Sequence, residues 1–416
     1  MIQKWSYQQY QQPLLLLLSF IINLYIKTES NIKEFCKMKF TIARNTFIKK
    51  LNAVQRAISS KTTIPILTGL KIEADNDRLI LTGSNTDISI ETTISTSDEE
   101  AHLDIESTGA IVLTARFFGD IVKKLPDNTM LLEVKDGFQT TITSGASEFK
   151  INGLDANNFP HLPEVDSQTT ITLKADVFSE MINETVIAVS NQESRPILTG
   201  IHFTIEDNKL SAVATDSHRL SQRIINLPES IKMPEDIIIP GKSLLELSRM
   251  LDDEIDTITL QISENQALFT FDETLFYSRL LEGLYPDTSR LIPKESSTEI
   301  EFEAPELLAS IERASLLSHA GRNNVVKLTI DTASKKAIIS GDSPEVGNVE
   351  EEVVTKDIKG EDLEISFNPD YLKDALRSFG HTSIKMEFTS ALRPFTLVPT
   401  EDQENFIQLI TPVRTF

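Results

Sequence analysis

The residues best suited to chemistry lie in a single run, Thr215-Asp216-Ser217-His218-Arg219-Leu220. Aspartate, serine and histidine are the parts of a hydrolase triad, in which the histidine activates the serine and the aspartate orients the histidine. The run reads as part of a strand, and neighbouring residues of a strand point to opposite faces of the sheet. Adjacent positions cannot provide the triad geometry, so we predict no catalytic residues here.

Other kinds of chemical site are also missing from the sequence. No glycine-rich phosphate loop of the G-x-x-x-x-G-K type is present, which argues against a nucleotide-driven motor. The six histidines have no spacing typical of metal ligands, so we expect neither a metal site nor a cofactor. They are His102, His161, His202, His218, His319 and His381.

An internal repeat organises the chain. Pro65–Ile72 reads PILTGLKI and Pro196–Phe203 reads PILTGIHF, while Thr86-Asp87 anticipates Thr215-Asp216 downstream. Repeats of this kind indicate that one structural unit is used more than once. The 196–220 stretch itself predicts two strands and a turn, because β-branched and apolar residues flank Glu206–Lys209.

The same pattern extends over the chain and predicts an α+β fold of three tandem domains, residues 38–165, 166–294 and 295–416. Each domain contains two units of strand, helix and three strands, and the first such unit includes a strand at Leu67–Ala74. Asn45 or Thr46 is the predicted cap of the first helix. The predicted helices are residues 45–59, Ala115–Leu125, Asp176–Ser190, Lys242–Leu251, Ala304–Ser318 and Pro369–Phe379.

The chain of 416 residues is strongly acidic, with 62 acidic against 40 basic residues and a net charge of -22. Such a charge argues against a protein whose whole surface adheres to nucleic acid or anionic membrane, although it allows a local basic surface. Basic residues slightly outnumber acidic ones in the predicted helices, where an ordinary solvated face is the alternative interpretation. The single cysteine, Cys36, permits no disulfide within the monomer, which suits a cytoplasmic location.

Residues 1–37 differ in composition from the rest. They contain the only tryptophan, Trp5, and an apolar run, Leu14–Ile22, that is shorter than the roughly 20 residues of a membrane span. No small-residue cleavage site follows the run, as a signal peptide would require. We predict that residues 1–37 are a disordered extension or a mis-assigned start, and that the natural chain begins at Met38.

Several motifs in register resemble the bacterial sliding clamp family, the β subunit of DNA polymerase III. They are Met38-Lys39-Phe40-Thr41, Pro65-Ile66-Leu67, Ala214–Leu220, Tyr285-Pro286-Asp287 and Pro412-Val413-Arg414. The resemblance covers Met38–Phe416. It implies that two chains close head to tail into a ring, with sheets outside and helices lining a hole for duplex DNA. The function implied is that of a processivity factor without catalytic activity.

The resemblance also implies three sets of functional residues. A groove between domains two and three would bind peptides through Leu198, Thr215, His218, Arg219, Leu220, Pro286, Arg290, Leu291, Leu392, Pro394, Pro412, Val413 and Arg414. DNA would be contacted by Lys61, Gln192, Arg195 and Arg322. The dimer interface would use Phe149, Ile151, Leu316 and Leu317.

The sequence departs from the family pattern at three places. Ser217 replaces a common glycine, Thr415-Phe416 extend the C-terminus, and Pro196-Ile197 stand where some relatives carry aromatic residues that stack on single-stranded DNA. The partners implied are duplex DNA, the replicative polymerase, the clamp loader and other proteins with a clamp-binding motif. A repeat scaffold that binds only protein peptides is the alternative function.

Overall fold

The computed structural model describes residues 37–163, 165, 170–227, 236–320 and 324–414. The predicted N-terminal extension before Lys37, and the residues Arg322, Thr415 and Phe416, lie outside the described residues. The chain forms two compact units. One contains the described residues before Val165 together with Asp272–Phe276, and the other contains Val165–Phe271 and the chain from Tyr277 onward.

The first unit contains an antiparallel five-stranded sheet in the order β5-β1-β7-β8-β9 and the strands β6-β2-β3-β4. Two helices cover these strands, and their phenylalanines Phe47 and Phe118 meet edge to face with ring centroids 5.8 Å apart. The elements are β1 Met38–Ala43, α1 Arg44–Gln55, β2 Gly69–Ala74, β3 Arg78–Ser84, β4 Ile88–Ser95, β5 Asp104–Ser107, β6 Gly109–Thr114, α2 Ala115–Lys123, β7 Thr129–Lys135, β8 Gln139–Ser144 and β9 Ser147–Asn152.

The first half of the second unit repeats this scheme. Phe178 packs against Phe203 and Phe269 at centroid distances of 6.2 and 5.8 Å, which joins the first helix to strands of both half-units. The elements are β10 Thr170–Lys174, α3 Ala175–Thr185, β11 Gly200–Glu206, β12 Lys209–Thr215, β13 Arg219–Asn226, β14 Ile237–Pro240, α4 Gly241–Ser248, β15 Thr257–Ile262, β16 Gln266–Phe271 and β17 Thr274–Arg279. The first three residues of β17 are part of the first unit.

The second half of this unit has the same order of elements around its own buried core, centred on Phe302, Phe367 and Phe395. Its elements are β18 Thr298–Glu303, α5 Ala304–Ala320, β19 Val326–Asp331, β20 Lys336–Ser343, β21 Gly347–Val353, β22 Asp357–Gly360, β23 Leu363–Phe367, α6 Pro369–Phe379, β24 Ser383–Phe388, β25 Phe395–Pro399 and β26 Phe406–Ile410.

One nine-stranded sheet of the second unit carries most of the candidate site. Its order is β14-β11-β12-β13-β26-β25-β24-β18-β22, so strand β13 pairs with β26 from the far end of the chain. A separate sheet has the order β21-β20-β19-β23 and leaves β21 at its edge. The order of elements along the described residues contains all six predicted repeats of strand, helix and three strands, two in each predicted domain. The predicted repeat architecture is confirmed.

Two strands and the start of the first helix differ from the sequence prediction. Strands β5 and β22 were not predicted, because they are short, largely polar and lack an apolar alternation. The predicted cap of the first helix is wrong, since β1 runs directly into α1 and Ala43 is the N-cap. The hydroxyl of Thr46 instead donates to the carbonyl of Glu100 at 3.1 Å.

Candidate functional site

The repeated PILT sequence forms a 3-10 turn at both of its positions, residues 65–68 and 196–199. The predicted strand at Leu67–Ala74 is therefore wrong over its first two residues. Proline opens each turn, and its fixed φ and missing N–H suit the first position of a helical turn. In the second copy, Leu198 is buried and its carbonyl accepts a hydrogen bond from the Ser190 N–H at 2.7 Å.

The run from Thr215 to Leu220 is a turn that leads into β13, and not a continuous strand as the sequence suggested. The Asp216 carboxylate accepts the N–H groups of His218 at 2.9 Å and Arg219 at 3.0 Å. Ser217 has a φ of 81°, a left-handed conformation that glycine adopts without steric cost.

The turn does not form a catalytic triad. The Asp216 carboxylate is taken up by backbone N–H groups and by the Arg219 Nε at 3.0 Å. The Ser217 hydroxyl accepts a hydrogen bond from Arg195 Nη1 at 2.9 Å, and the His218 ring stacks on Tyr371 with centroids 6.3 Å apart. Among the described residues no side-chain hydrogen bond links the three members of the would-be triad.

Strand pairing brings distant parts of the chain to the start of β13. Leu220 pairs with Leu409, and Phe395 pairs with Ile410 on the other side of β26. Just beyond the strands, the Thr411 N–H donates to the His218 carbonyl at 2.9 Å. The loop before β25, which carries Leu392 and Pro394, and the tail after β26, which carries Pro412 and Val413, therefore lie at the same end of the sheet as His218.

A buried apolar floor lies beneath this end of the sheet. Leu220, Val213 and Leu409 form a small hydrophobic cluster, against which Tyr285 and Ile292 pack. The Thr215 N–H donates to the Tyr285 hydroxyl at 3.0 Å, and burial raises the pKa of that hydroxyl. The Tyr-Pro-Asp motif is thus fixed to the strand that carries the Thr-Asp motif, although the two are far apart in sequence.

Large apolar side chains remain exposed around this floor. Leu291 is 49% exposed, Leu392 is 64% exposed and Val413 is 37% exposed. Pro286, Arg290 and Arg414 are exposed as well. Apolar groups around a small buried cluster, with arginines nearby, suit an extended peptide that has apolar anchors. All of the predicted groove residues belong to the second unit. We call the exposed surface around Leu291, Leu392 and Val413 the groove.

Sequence reasoning missed Tyr371, which contacts two of the predicted groove residues, His218 and Arg219. Its ring stacks on His218, and the guanidinium of Arg219 lies 4.7 Å from the ring centroid. Arg219 also bonds to Asp374 at 2.7 Å, one turn further along α6. The available signal was the apolar pattern of α6, which buries Leu372 and Leu376 and leaves the first-turn Tyr371 half-buried at the margin of the same core.

The predicted DNA-contacting residues are exposed where the structure describes them. Lys61 lies in the loop after α1, and Gln192 and Arg195 lie in the loop before the second PILT turn. Arg195 is engaged with Ser217, so this cation borders the groove. Arg322 is outside the described residues.

Cationic side chains on the helices are distributed unevenly. In the second unit most of them are paired with carboxylates, as Arg249 is with Glu246 at 2.6 Å and Arg377 with Glu312 at 2.8 Å, whereas the exposed Lys242 on α4 forms no ion pair with a described residue. In the first unit, Arg116, Lys123 and Lys124 are exposed on or next to α2 and form no ion pair among the described residues. The slight basic excess predicted for all helices is thus most available on α2.

The predicted interface residues lie at two unpaired places. Strand β9 is an edge strand of its sheet, and it carries Phe149, which is 38% exposed, and the half-buried Ile151. On α5, Leu316 is 72% exposed and Leu317 is half-buried. Exposed edge strands and apolar patches are normally covered in the assembled protein.

A buried ionisable group lies on α3. Glu184 is only 7% exposed, and its main-chain carbonyl accepts hydrogen bonds from Ser221 at 2.7 Å and Gln408 at 3.1 Å. Its carboxylate lies 3.1 Å from the Arg223 Nε, and Arg223 also pairs with Asp402. Burial raises the pKa of Glu184 to about 8, because it outweighs the attraction of Arg223.

The described residues contain no cluster of three or more histidine, cysteine or acidic side chains able to hold a metal ion. No helix in this part of the chain has the length and apolar character needed to cross a membrane.

Comparison with known proteins tests the resemblance. The N-terminal, central and C-terminal domains of the DNA polymerase III beta subunit family match residues 38–163, 172–287 and 289–414. The beta sliding clamp of Bacillus subtilis strain 168 is 48% identical over 384 residues, which are 91% of this chain and 100% of that protein. The corresponding protein of Streptococcus pneumoniae TIGR4 is 47% identical over 377 residues, or 90% and 99% of the two chains.

Solved structures of sliding clamps have the same fold as this chain. The DNA polymerase III beta chain of Streptococcus pneumoniae TIGR4 superposes with a TM-score of 0.88 at 46% identity, and the sliding clamp of Bacillus subtilis with 0.87 at 48%. Each match covers 91% of this chain and 100% of the other. The predicted resemblance is confirmed. The chain belongs to the DNA polymerase III β subunit family, with the three tandem α+β domains and the non-catalytic sliding-clamp function of that family.

Proposed function

We propose that two copies of this chain close head to tail into a ring around duplex DNA, and that the groove tethers the replicative polymerase to it. The clamp loader and other proteins with a clamp-binding motif would use the same groove. The domains of the ring would be residues 38–165, 166–294 and 295–416. The main observation that supports the ring is that strands β9 and β21 each lie at the open edge of a sheet.

The internal repeat supports the pairing of these two edges. Within the chain, the last strand of one half-unit lies beside the last strand of another: β26 pairs with β13, and the carbonyl of Glu273, the residue before β17, accepts a hydrogen bond from the Thr93 N–H of β4 at 3.0 Å. Strands β9 and β21 occupy the same places in their own half-units. In a head-to-tail dimer they would complete the pattern, with β9 of one copy beside β21 of the other.

The exposed apolar residues near the two edges would be buried by the same contact. Phe149 and Ile151 of one copy would pack toward Leu316 and Leu317 of the other. Lys150 on β9 would approach β21, which carries three consecutive glutamates at 350–352. Both hydrophobic burial and charge would then favour the head-to-tail arrangement over contact between identical edges.

A closed ring resolves a conflict between holding and sliding. Non-specific phosphate binding gives dissociation constants of about 10⁻⁴–10⁻⁶ M at physiological salt, which is too weak to retain a polymerase. A strongly basic surface would hold DNA but would also impede movement. The acidic body, with accessible cations on α2 and at Lys61 and Arg195 and the polar amide of Gln192, suits weak contacts inside a ring that is held topologically.

The test is retention on DNA of different topology. Loaded rings should stay on nicked circles at physiological salt and leave rapidly once the circles are cut to linear molecules. Leu316→Ala with Leu317→Ala should shift the protein toward monomer in sedimentation velocity and abolish retention. Leu284→Ala removes an almost fully exposed leucine outside both edges and is the matched control. Equal retention on circular and linear DNA would contradict the topological mechanism.

A scaffold that binds only peptides would give a different result. It would bind partner peptides through the groove but would show no preference for circular DNA. Deleting residues 414–416 separates peptide binding from ring formation. It should weaken peptide binding, while the sedimentation coefficient of the dimer stays unchanged.

A further inference from the structure

The cations around the groove differ in whether they already have a partner. Arg219 is buried to a large extent and held between Asp216 and Asp374 at 3.0 and 2.7 Å. Arg290 is exposed and makes one surface contact with Asp287, its neighbour along the chain, at 3.0 Å. Arg219 therefore stabilises the groove itself, whereas Arg290 remains accessible to a ligand.

Two further arginines at the groove have no such contact. Arg393 and Arg414 are exposed, and neither takes part in an ion pair among the described residues. Arg393 stands between Leu392 and Pro394, directly before the strand that pairs with Ile410. Arg414 follows Val413, whose N–H donates to the Ser366 carbonyl at 2.7 Å and fixes the course of the tail.

Arg290, Arg393 and Arg414 are exposed cations in a chain with a net charge of -22. Each of them adjoins an exposed apolar residue: Arg290 is next to Leu291, Arg393 to Leu392, and Arg414 to Val413. A ligand that buries these apolar groups must therefore bring its own groups close to the guanidinium groups. Carboxylates are the groups that arginine binds best, through paired hydrogen bonds.

We infer that the groove selects acidic peptides, in which aspartate or glutamate flanks the apolar anchor residues and contacts Arg393 and Arg414. The inference rests on the proposed peptide groove and specifies the chemistry of its ligand. The apolar surface around Leu291, Leu392 and Val413 favours a peptide over a nucleic acid strand, because a phosphate backbone would leave these side chains uncovered.

The direct test compares two synthetic peptides with leucine at alternate central positions. One is flanked by aspartates and the other by asparagines, which keep the shape and remove the charge. Each exposed pair should contribute about a 1.5- to 5-fold change in affinity. Fluorescence anisotropy should therefore show the aspartate peptide binding about 2- to 25-fold more tightly at low salt, and the difference should shrink at high salt.

Variants assign the effect to the arginines. Arg393→Gln with Arg414→Gln should bring the two peptides to equal affinity without abolishing binding. Arg393→Glu should bind a lysine-flanked peptide better than the aspartate-flanked one. Arg78→Gln removes an exposed arginine from the first unit and should leave the ratio unchanged.

The outcomes separate this inference from the proposed function. If neither peptide binds, the peptide groove itself is wrong. If both peptides bind with equal affinity, the groove stands and the selection of acidic ligands is overturned. If a single-stranded oligothymidine displaces the peptides, and loses its affinity in the double glutamine variant while the peptide ratio stays at one, the arginines bind phosphates and the inference fails.

Discussion

Replacing Glu184 with glutamine should change how the stability of the second unit depends on pH. Glu184 joins α3 to strands β13 and β26, and its carboxylate is buried next to Arg223. Burial is the main cause that raises its pKa to about 8, and the charges of Glu180 and Asp402 act in the same direction. Glutamine resembles the protonated carboxyl in shape and cannot ionise.

The magnitude follows from the difference between the folded and unfolded states. The pKa of Glu184 is about 8 when folded and 4.5 when unfolded, and each pKa unit corresponds to about 1.4 kcal/mol. The protonated group therefore contributes its stability fully below pH 4.5 and loses it as the pH rises through 8. The wild-type protein should lose up to about 5 kcal/mol from this group over that interval, whereas the glutamine variant should not.

The assay is urea unfolding of both proteins at half-unit steps from pH 5 to pH 9, followed by a signal from the second unit. The difference in unfolding free energy should grow in favour of Glu184→Gln by up to about 1.4 kcal/mol per pH unit and level off above pH 8. Glu180→Gln removes an exposed carboxylate from the same helix and is the control for charge alone. A constant difference would refute the reasoning, because it would mean that Arg223 keeps Glu184 ionised. The same pH dependence in the control would attribute the effect to charge instead of burial.

Three further predictions concern the fold. A chain that starts at Met38 should keep its melting temperature and its loading on DNA, and a drop of several degrees would show that the preceding residues pack on the body. Ser217→Gly should raise the unfolding free energy by about 0.5–1 kcal/mol, because it relieves the φ of 81°; a loss of stability in urea titration would mean that the bond to Arg195 is worth more than the strain. Gly83→Ala should destabilise the first unit by about 1–3 kcal/mol, since the added Cβ would lie 2.6 Å from the Val54 carbonyl oxygen; an unchanged midpoint would show that α1 can move aside.

The sequence alone determined the repeated architecture. Among the described residues, apolar periodicity located the six α-helices and most strands, because a stripe such as Phe47, Leu51 and Val54 must face a core whatever the neighbouring elements are. The motifs also identified the family, since several short runs had to occur in register. Helix ends were less predictable: the cap at Asn45 or Thr46 was wrong because β1 leads straight into α1.

Only the tertiary structure decided which of the singled-out residues act together. The pairing of β13 with β26 brings His218 beside Thr411, a contact between residues 193 positions apart that no local pattern encodes. The same pairing places Tyr371 under His218 and Arg219, and it fixes Arg219 between two aspartates while Arg393 and Arg414 stay exposed. Local sequence sets what a residue can do, but burial and partners depend on segments far away in the chain, so the charge state of Glu184 and the accessible arginines became visible only in the folded protein.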